Sequence, residues 1–201
     1  MIQELSCTYV IHTYIPYASR SSDKNIGAVY NNFMAMIPDG DWACFLDHDA
    51  MFTTLDWYKQ IEDIIEDISL CDRPVGLLTT CTNRIGNLEQ VIVGVESQNH
   101  DIYYHRKIGK QRQLDHGKSL RECDFLISGI VILISKEVWK KTDGFIDGFL
   151  GVDNNIDQQI RALGYKSYIM DGVYCYHWYR ADGIPIQGIG YPKALNLPAI
   201  Q

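Results

Sequence analysis

Apolar positions along this chain follow two periods. Short β-branched or aromatic runs alternate with longer stretches in which apolar residues recur every three or four positions. Residues 7–15 (CTYVIHTYI) are the first such run and predict a strand, followed by a polar loop, PYASRSSDKN. The period then changes: Ile26, Val29, Tyr30, Phe33 and Met34 share one helical stripe, which Asp23 is placed to cap. PDGD predicts a turn and residues 42–46 (WACFL) a second strand. In LDWYKQIEDIIEDISL, Leu55, Tyr58, Ile61, Ile65 and Ile68 form the inward face of the clearest helix. Asp56, Glu62, Asp63, Glu66 and Asp67 lie mostly toward solvent, as a solvated face rather than a metal site. VGLLTTC predicts a third strand.

Residues 84–122 show no sustained period and predict a mobile insertion with room for one strand or hairpin. Residues 125–135 (FLISGIVILIS) predict a central strand, KEVWKKT a short helix, and DGFIDGFLG a Gly-punctuated loop. DNNIDQQIRALG predicts a helix that stops at Gly164. KSYIMDGVYCYHWYR predicts two short strands broken at Asp171-Gly172, and the Gly- and Pro-rich remainder a tail or flexible lid. Strands alternating with helices predict an α/β fold, a mostly parallel central sheet flanked by helices. The 201 residues suit a single domain, with its core over about 7–180 and a tail over 181–201.

Composition narrows the function classes. A net charge of −7 and a pI near 5.3 argue against nucleic acid as the main partner, although residues 105–113 (HRKIGKQRQ) form a local basic patch. None of the six cysteines has CxxC spacing and most lie in apolar runs, so they read as reduced core residues of a cytoplasmic protein. No apolar run approaches the ~20 residues that span a bilayer, and the N-terminus lacks a signal-peptide pattern.

The chemistry concentrates where the second strand ends in Asp47, His48 and Asp49. Ligands of open α/β sheets bind beyond the carboxyl ends of strands. Side chains two apart on extended backbone share a side, so Asp47 and Asp49 converge on one divalent cation of the Mg²⁺ or Mn²⁺ type, with His48 pointing away.

FLDHDA resembles the DxD motif of GT-A-fold glycosyltransferases, especially family 2. KNIGAVYNNFM resembles that family's N-x-G-x-x-x-A/N helix ahead of the DxD strand. FLISGIVILISKEVWKKTDGFIDGFLGVDNNIDQQIRALGYKSYIM resembles its later segment, with a Gly near the donor sugar, a GGF-D-like loop and an R-x-x-G helix. VYCYHWYR resembles the late strand whose His is a further metal ligand. The resemblance covers most of residues 7–180. It implies a Rossmann-like GT-A domain that moves a sugar from a nucleotide-diphospho-sugar donor to an acceptor hydroxyl, by an inverting course, with Mn²⁺ or Mg²⁺. It implies Asp47, Asp49 and His177 as metal ligands and Asp153 as catalytic base. Thr13, Lys24, Asn25, Asn31, His48, Gly129 and Arg180 are implied on the donor side, and Asn83, Arg84 and Asp157 on the acceptor side. The chain departs from the family where Asn154, rather than a second acid, follows Asp153; Asp157 comes one turn later, placed to pair with Arg161. The stretch between the first strand and Lys24 is also short for a base-reading segment. Two rival readings are a nucleotidyltransferase, whose Gly-rich loop is missing after the first strand, and a binding module with a decayed site.

Overall fold

The structure is a computed structural model that describes residues 25–71 and 73–178. The predicted first strand and the C-terminal tail lie outside the described residues. Five longer elements and several short ones follow in chain order: α1 (Ile26–Met36), β1 (Trp42–Leu46), β2 (Ala50–Phe52), α2 (Trp57–Ser69), β3 (Val75–Thr82), α3 (Ile102–His116), β4 (Leu120–Glu122), β5 (Val131–Ser135), α4 (Lys136–Trp139), α5 (Val152–Ala162) and β6 (Lys166–His177). They form one α/β unit around a six-stranded sheet of order β1-β5-β3-β6-β2, with β4 also paired to β6.

The expected mostly parallel sheet needs correcting for the described residues. Only β3 and β6 pair parallel; β1–β5, β3–β5, β2–β6 and β4–β6 are antiparallel. Alternating period distinguishes strand from helix but carries no information on strand direction. Because β5 runs against both its neighbours, β1, β3 and β6 still point the same way. Their carboxyl ends share one edge of the sheet, and the site forms there.

Two apolar layers clothe the sheet. On one, Met34, Phe45, Leu77, Phe145, Val152, Ile156 and Ile160 pack with Tyr30 and Phe33 of α1. On the other, Ile61 and Ile64 of α2 pack against Leu78, Leu133 and Met170. Leu55, expected inward, is 80% exposed because it precedes the helix, and Ile64 fills the inward stripe instead. Cys81, Cys123 and Cys175 are buried free thiols, whereas Cys71 is exposed, against the core expectation for it. Cys71 sits just past the exposed end of α2, beyond the buried face.

The predicted insertion over 84–122 is instead dominated by α3, 15 residues long. Asp101 caps it by accepting from the Tyr103 amide, and Gly117 ends it at φ +51°. Its apolar period is faint because it meets β6 through a histidine and a glycine. His105, fully buried, pairs through Nδ1 with the Tyr174 hydroxyl (2.7 Å) and through Nε2 with the Asn99 carbonyl (2.6 Å). A Cβ on Gly109 would come within 2.1 Å of the Thr53 hydroxyl. The basic patch thus lies on a packed helix.

β6 is one 12-residue strand rather than two. Its partner register jumps from Thr80↔Met170 to Cys81↔Tyr174, so the Asp171-Gly172 turn signal marks a bulge within the strand. A Cβ on Gly172 would lie 2.0 Å from the Gly117 carbonyl oxygen. Gln60 bridges that contact, donating to the Gly117 and Gly172 carbonyls.

The predicted 125–135 strand is shortened to Val131–Ser135, wholly buried, and Phe125 is 69% exposed. The residues before it are held by side chains of α5 in place of a neighbouring strand. Arg161 donates to the Cys123 and Phe125 carbonyls, Asn154 to the Ile127 carbonyl, and Asp157 and Asp153 accept from the Ile127 and Gly129 amides.

Candidate metal centre

Beyond Leu46 the β1 ladder extends one residue: the Asp47 amide donates to the Ile130 carbonyl (3.0 Å). The chain then turns, closed by the Ala50 amide donating to the Asp47 carbonyl (3.1 Å), and β2 docks on β6 with Ala50 opposite His177. The Trp178 amide donates to the Asp49 carbonyl (2.8 Å). This turn delivers both carboxylates to the end of β6. One ligand atom each from Asp47, Asp49 and His177 lies within 4.8 Å of the other two. Asp49 Oδ1 is 3.3 Å from His177 Nε2. The sequence-predicted ligands therefore meet at one point.

His177 is 2% exposed and held on three sides. The Asn83 side chain accepts from its amide (2.8 Å) and donates to its carbonyl (3.1 Å). Its Nδ1 is 2.9 Å from the Arg84 carbonyl, an acceptor, so Nδ1 carries a proton and Nε2 is the ring nitrogen that faces Asp49. Arg84 itself donates to the Trp178 carbonyl (2.5 Å).

The two carboxylates are tuned apart. Burial pushes the Asp47 carboxyl up to about 6; Asp49 and Asp153 add to this, and His177 opposes it. Burial also works against the charge on Asp49, but the hydrogen bond and charge of His177 outweigh it and hold Asp49 below the usual carboxylate value.

The donor set fits a hard or borderline divalent cation. Ligand bonds of ~2.0–2.3 Å place two ligand atoms of one ion up to about 4.6 Å apart, and the three atoms here lie within 4.8 Å of one another. The 3.3 Å from Asp49 to His177 matches neighbouring ligands of one ion. Two oxygens and one imidazole nitrogen leave other positions for phosphate oxygens and water.

Asp153 comes to the same edge in the first turn of α5, after Gly151 at φ +73°. Its Oδ2 accepts from the Gly129 amide (2.8 Å). A Cβ on residue 129 would lie 2.9 Å from that of Asp153, so the glycine is needed for this approach. His48, at the tip of the turn, is exposed.

The other expected contact residues within the described range have partners inside the protein. Asp157 is fully buried, accepting from Arg161 Nε (2.9 Å), Ser167 Oγ (2.5 Å) and the Ile127 amide (2.9 Å), and has no room for an acceptor. Asn25 caps α1 by accepting from the Ala28 amide, also accepts from the Gly148 amide, and donates to Asp147. Asn31 donates to the Phe145 carbonyl and accepts from the Phe145 amide and Trp139 Nε1. Both amides thus fasten α1 to the loop leading into α5, where a donor-side role had been expected. A Cβ on Gly27 would strike the Ile146 carbonyl oxygen at 1.8 Å, which explains the glycine of that motif. Asn83 and Arg84, expected on the acceptor side, brace His177 and Trp178. Thr13, Lys24 and Arg180 lie outside the described residues.

Sequence reasoning missed the bracing role of Asn83. Its only signal was position, one residue past a buried strand that runs parallel to the histidine's strand. Comparison with protein families, with curated proteins and with solved structures finds no match to this chain.

Proposed function

We propose that the protein is a metal-dependent glycosyltransferase of GT-A type, moving a sugar from a nucleotide-diphospho-sugar to an acceptor hydroxyl. The observation that carries this reading is the convergence of Asp47, Asp49 and His177 where β1 and β6 end, with Asp153 brought to the same edge by α5. Bound there, Mn²⁺ or Mg²⁺ would supply Lewis-acid stabilisation of charge growing on the diphosphate leaving group. Asp49, His177 through Nε2, and Asp47 in its ionised form would hold that ion. Asp153, whose Oδ2 is engaged by Gly129, has Oδ1 to receive the proton of the attacking hydroxyl. The bond from the anomeric carbon to the phosphate oxygen breaks, the bond to the acceptor oxygen forms, and nucleoside diphosphate departs. An inverting course, with attack opposite the leaving group, rests on the resemblance to family 2 alone.

The test is incubation with a panel of nucleotide sugars and Mn²⁺, following release of nucleoside diphosphate. Metal-dependent release from one donor supports the reading. Release of pyrophosphate from nucleoside triphosphates plus sugar phosphate would favour a nucleotidyltransferase instead.

A further inference from the structure

We propose that Tyr30 is a donor-sugar contact: its phenol donates a hydrogen bond to the sugar ring lying between Asp47 and Asp153. This deepens the glycosyltransferase reading above and rests on it.

The ring of Tyr30 is immobilised. It stacks on Phe45 at 4.1 Å between centroids and meets Phe145 edge-on at 5.3 Å. Phe45 precedes Asp47 by two positions on extended backbone, so the two side chains leave β1 on the same side. A ring lying on Phe45 therefore borders the side from which Asp47 projects. Asp153 approaches from α5, whose neighbouring Val152 belongs to the same apolar layer as Phe45 and Phe145. Both carboxylates act on the phenol: burial first, then Asp47 and Asp153, push its ionisation above the ordinary tyrosine value, so it remains a neutral donor.

The hydroxyl has no packing reason to be there. Its ring partners Phe45 and Phe145 are both phenylalanines, and a third would stack equally well. Among the described residues the hydroxyl makes no hydrogen bond. A neutral donor on a ring fixed against Phe45, on the side of β1 from which Asp47 projects, suits an uncharged, hydroxyl-rich ring. The diphosphate belongs on the Asp47 side and the attacking hydroxyl on the Asp153 side, which leaves the sugar between them.

The experiment is Tyr30→Phe, with affinities measured calorimetrically in Mn²⁺ for nucleotide sugars and for their parent nucleoside diphosphates. The expected result is a nucleoside diphosphate affinity unchanged within about twofold and a nucleotide-sugar affinity weakened about 3–10-fold, the worth of one hydrogen bond. Equal affinity of variant and wild type for the nucleotide sugar would overturn the proposal, as would an equal loss for both ligands. Failure of the wild type to bind any nucleotide would overturn the underlying reading, and is told apart because it needs no variant.

Discussion

Asn83 and His177 face each other across the parallel strands β3 and β6, the amide of one spanning both backbone groups of the other at 2.8 and 3.1 Å. The imidazole thereby has one orientation, and the Arg84 carbonyl gives it one tautomer. Asn83→Ala should leave a buried amide and carbonyl unsatisfied. The expected outcome is a loss of about 2–4 kcal/mol in stability and a fall of about 10–100-fold in Mn²⁺ affinity. Chemical denaturation and calorimetric titration of Mn²⁺ check the two effects separately.

Asp47 sets a pH dependence of opposite sign with and without metal. Its carboxyl is raised to about 6 in the folded protein, so folding favours the protonated form. In metal-free protein that contribution is fully present below about pH 4, the unfolded value, and is lost as pH rises through about 6. Asp47→Asn should therefore stabilise metal-free protein at pH 7 by about 1–2 kcal/mol, discounted for partial solvent screening, and by nothing near pH 4. Metal binding must displace the proton, so Mn²⁺ affinity of the wild type should drop as pH falls through about 6. Denaturation curves at the two pH values, and Mn²⁺ titrations between pH 5 and 8, measure these trends.

The two carboxylates of α5 should separate into a chemical and a structural role. Asp157 is wholly enclosed, with Arg161, Ser167 and the Ile127 amide as partners, and is not an exposed helix pair worth a few tenths of a kcal/mol. Asp157→Ala should cost about 3–5 kcal/mol by leaving Arg161 and the Ile127 amide uncompensated. Asp153→Asn should leave the melting temperature almost unchanged and cut transfer about 10²–10⁴-fold. Melting curves and turnover of the two variants check the division.

Much of this was legible in the chain. Residues 42–46, 57–69 and 152–162 follow their periods closely, because each buries one face against a layer of the sheet. Asp47, Asp49 and His177 were readable as partners from the strand end and the family resemblance. Three things were not. Strand direction leaves no mark on an alternating pattern. α3 packs through His105 and Gly109 rather than an apolar stripe. Asn25, Asn31 and Asn83 looked like ligand contacts because their amides suit either task, and only their partners show that they brace backbone.

The central claim is that Asp47, Asp49 and His177 hold a divalent cation that receives a nucleoside diphosphate. The most direct measurement is the thermal shift of wild-type protein and Asp49→Asn with Mn²⁺ alone, nucleoside diphosphate alone, and both. At a ligand concentration of 100 Kd, binding adds about 2.7 kcal/mol, or about 5–10 °C for a chain of this size. The account predicts such a shift for the wild type with both ligands together, a small one with nucleotide alone, and none for Asp49→Asn. An equal shift for wild type and Asp49→Asn, or a nucleotide shift indifferent to Mn²⁺, would contradict it.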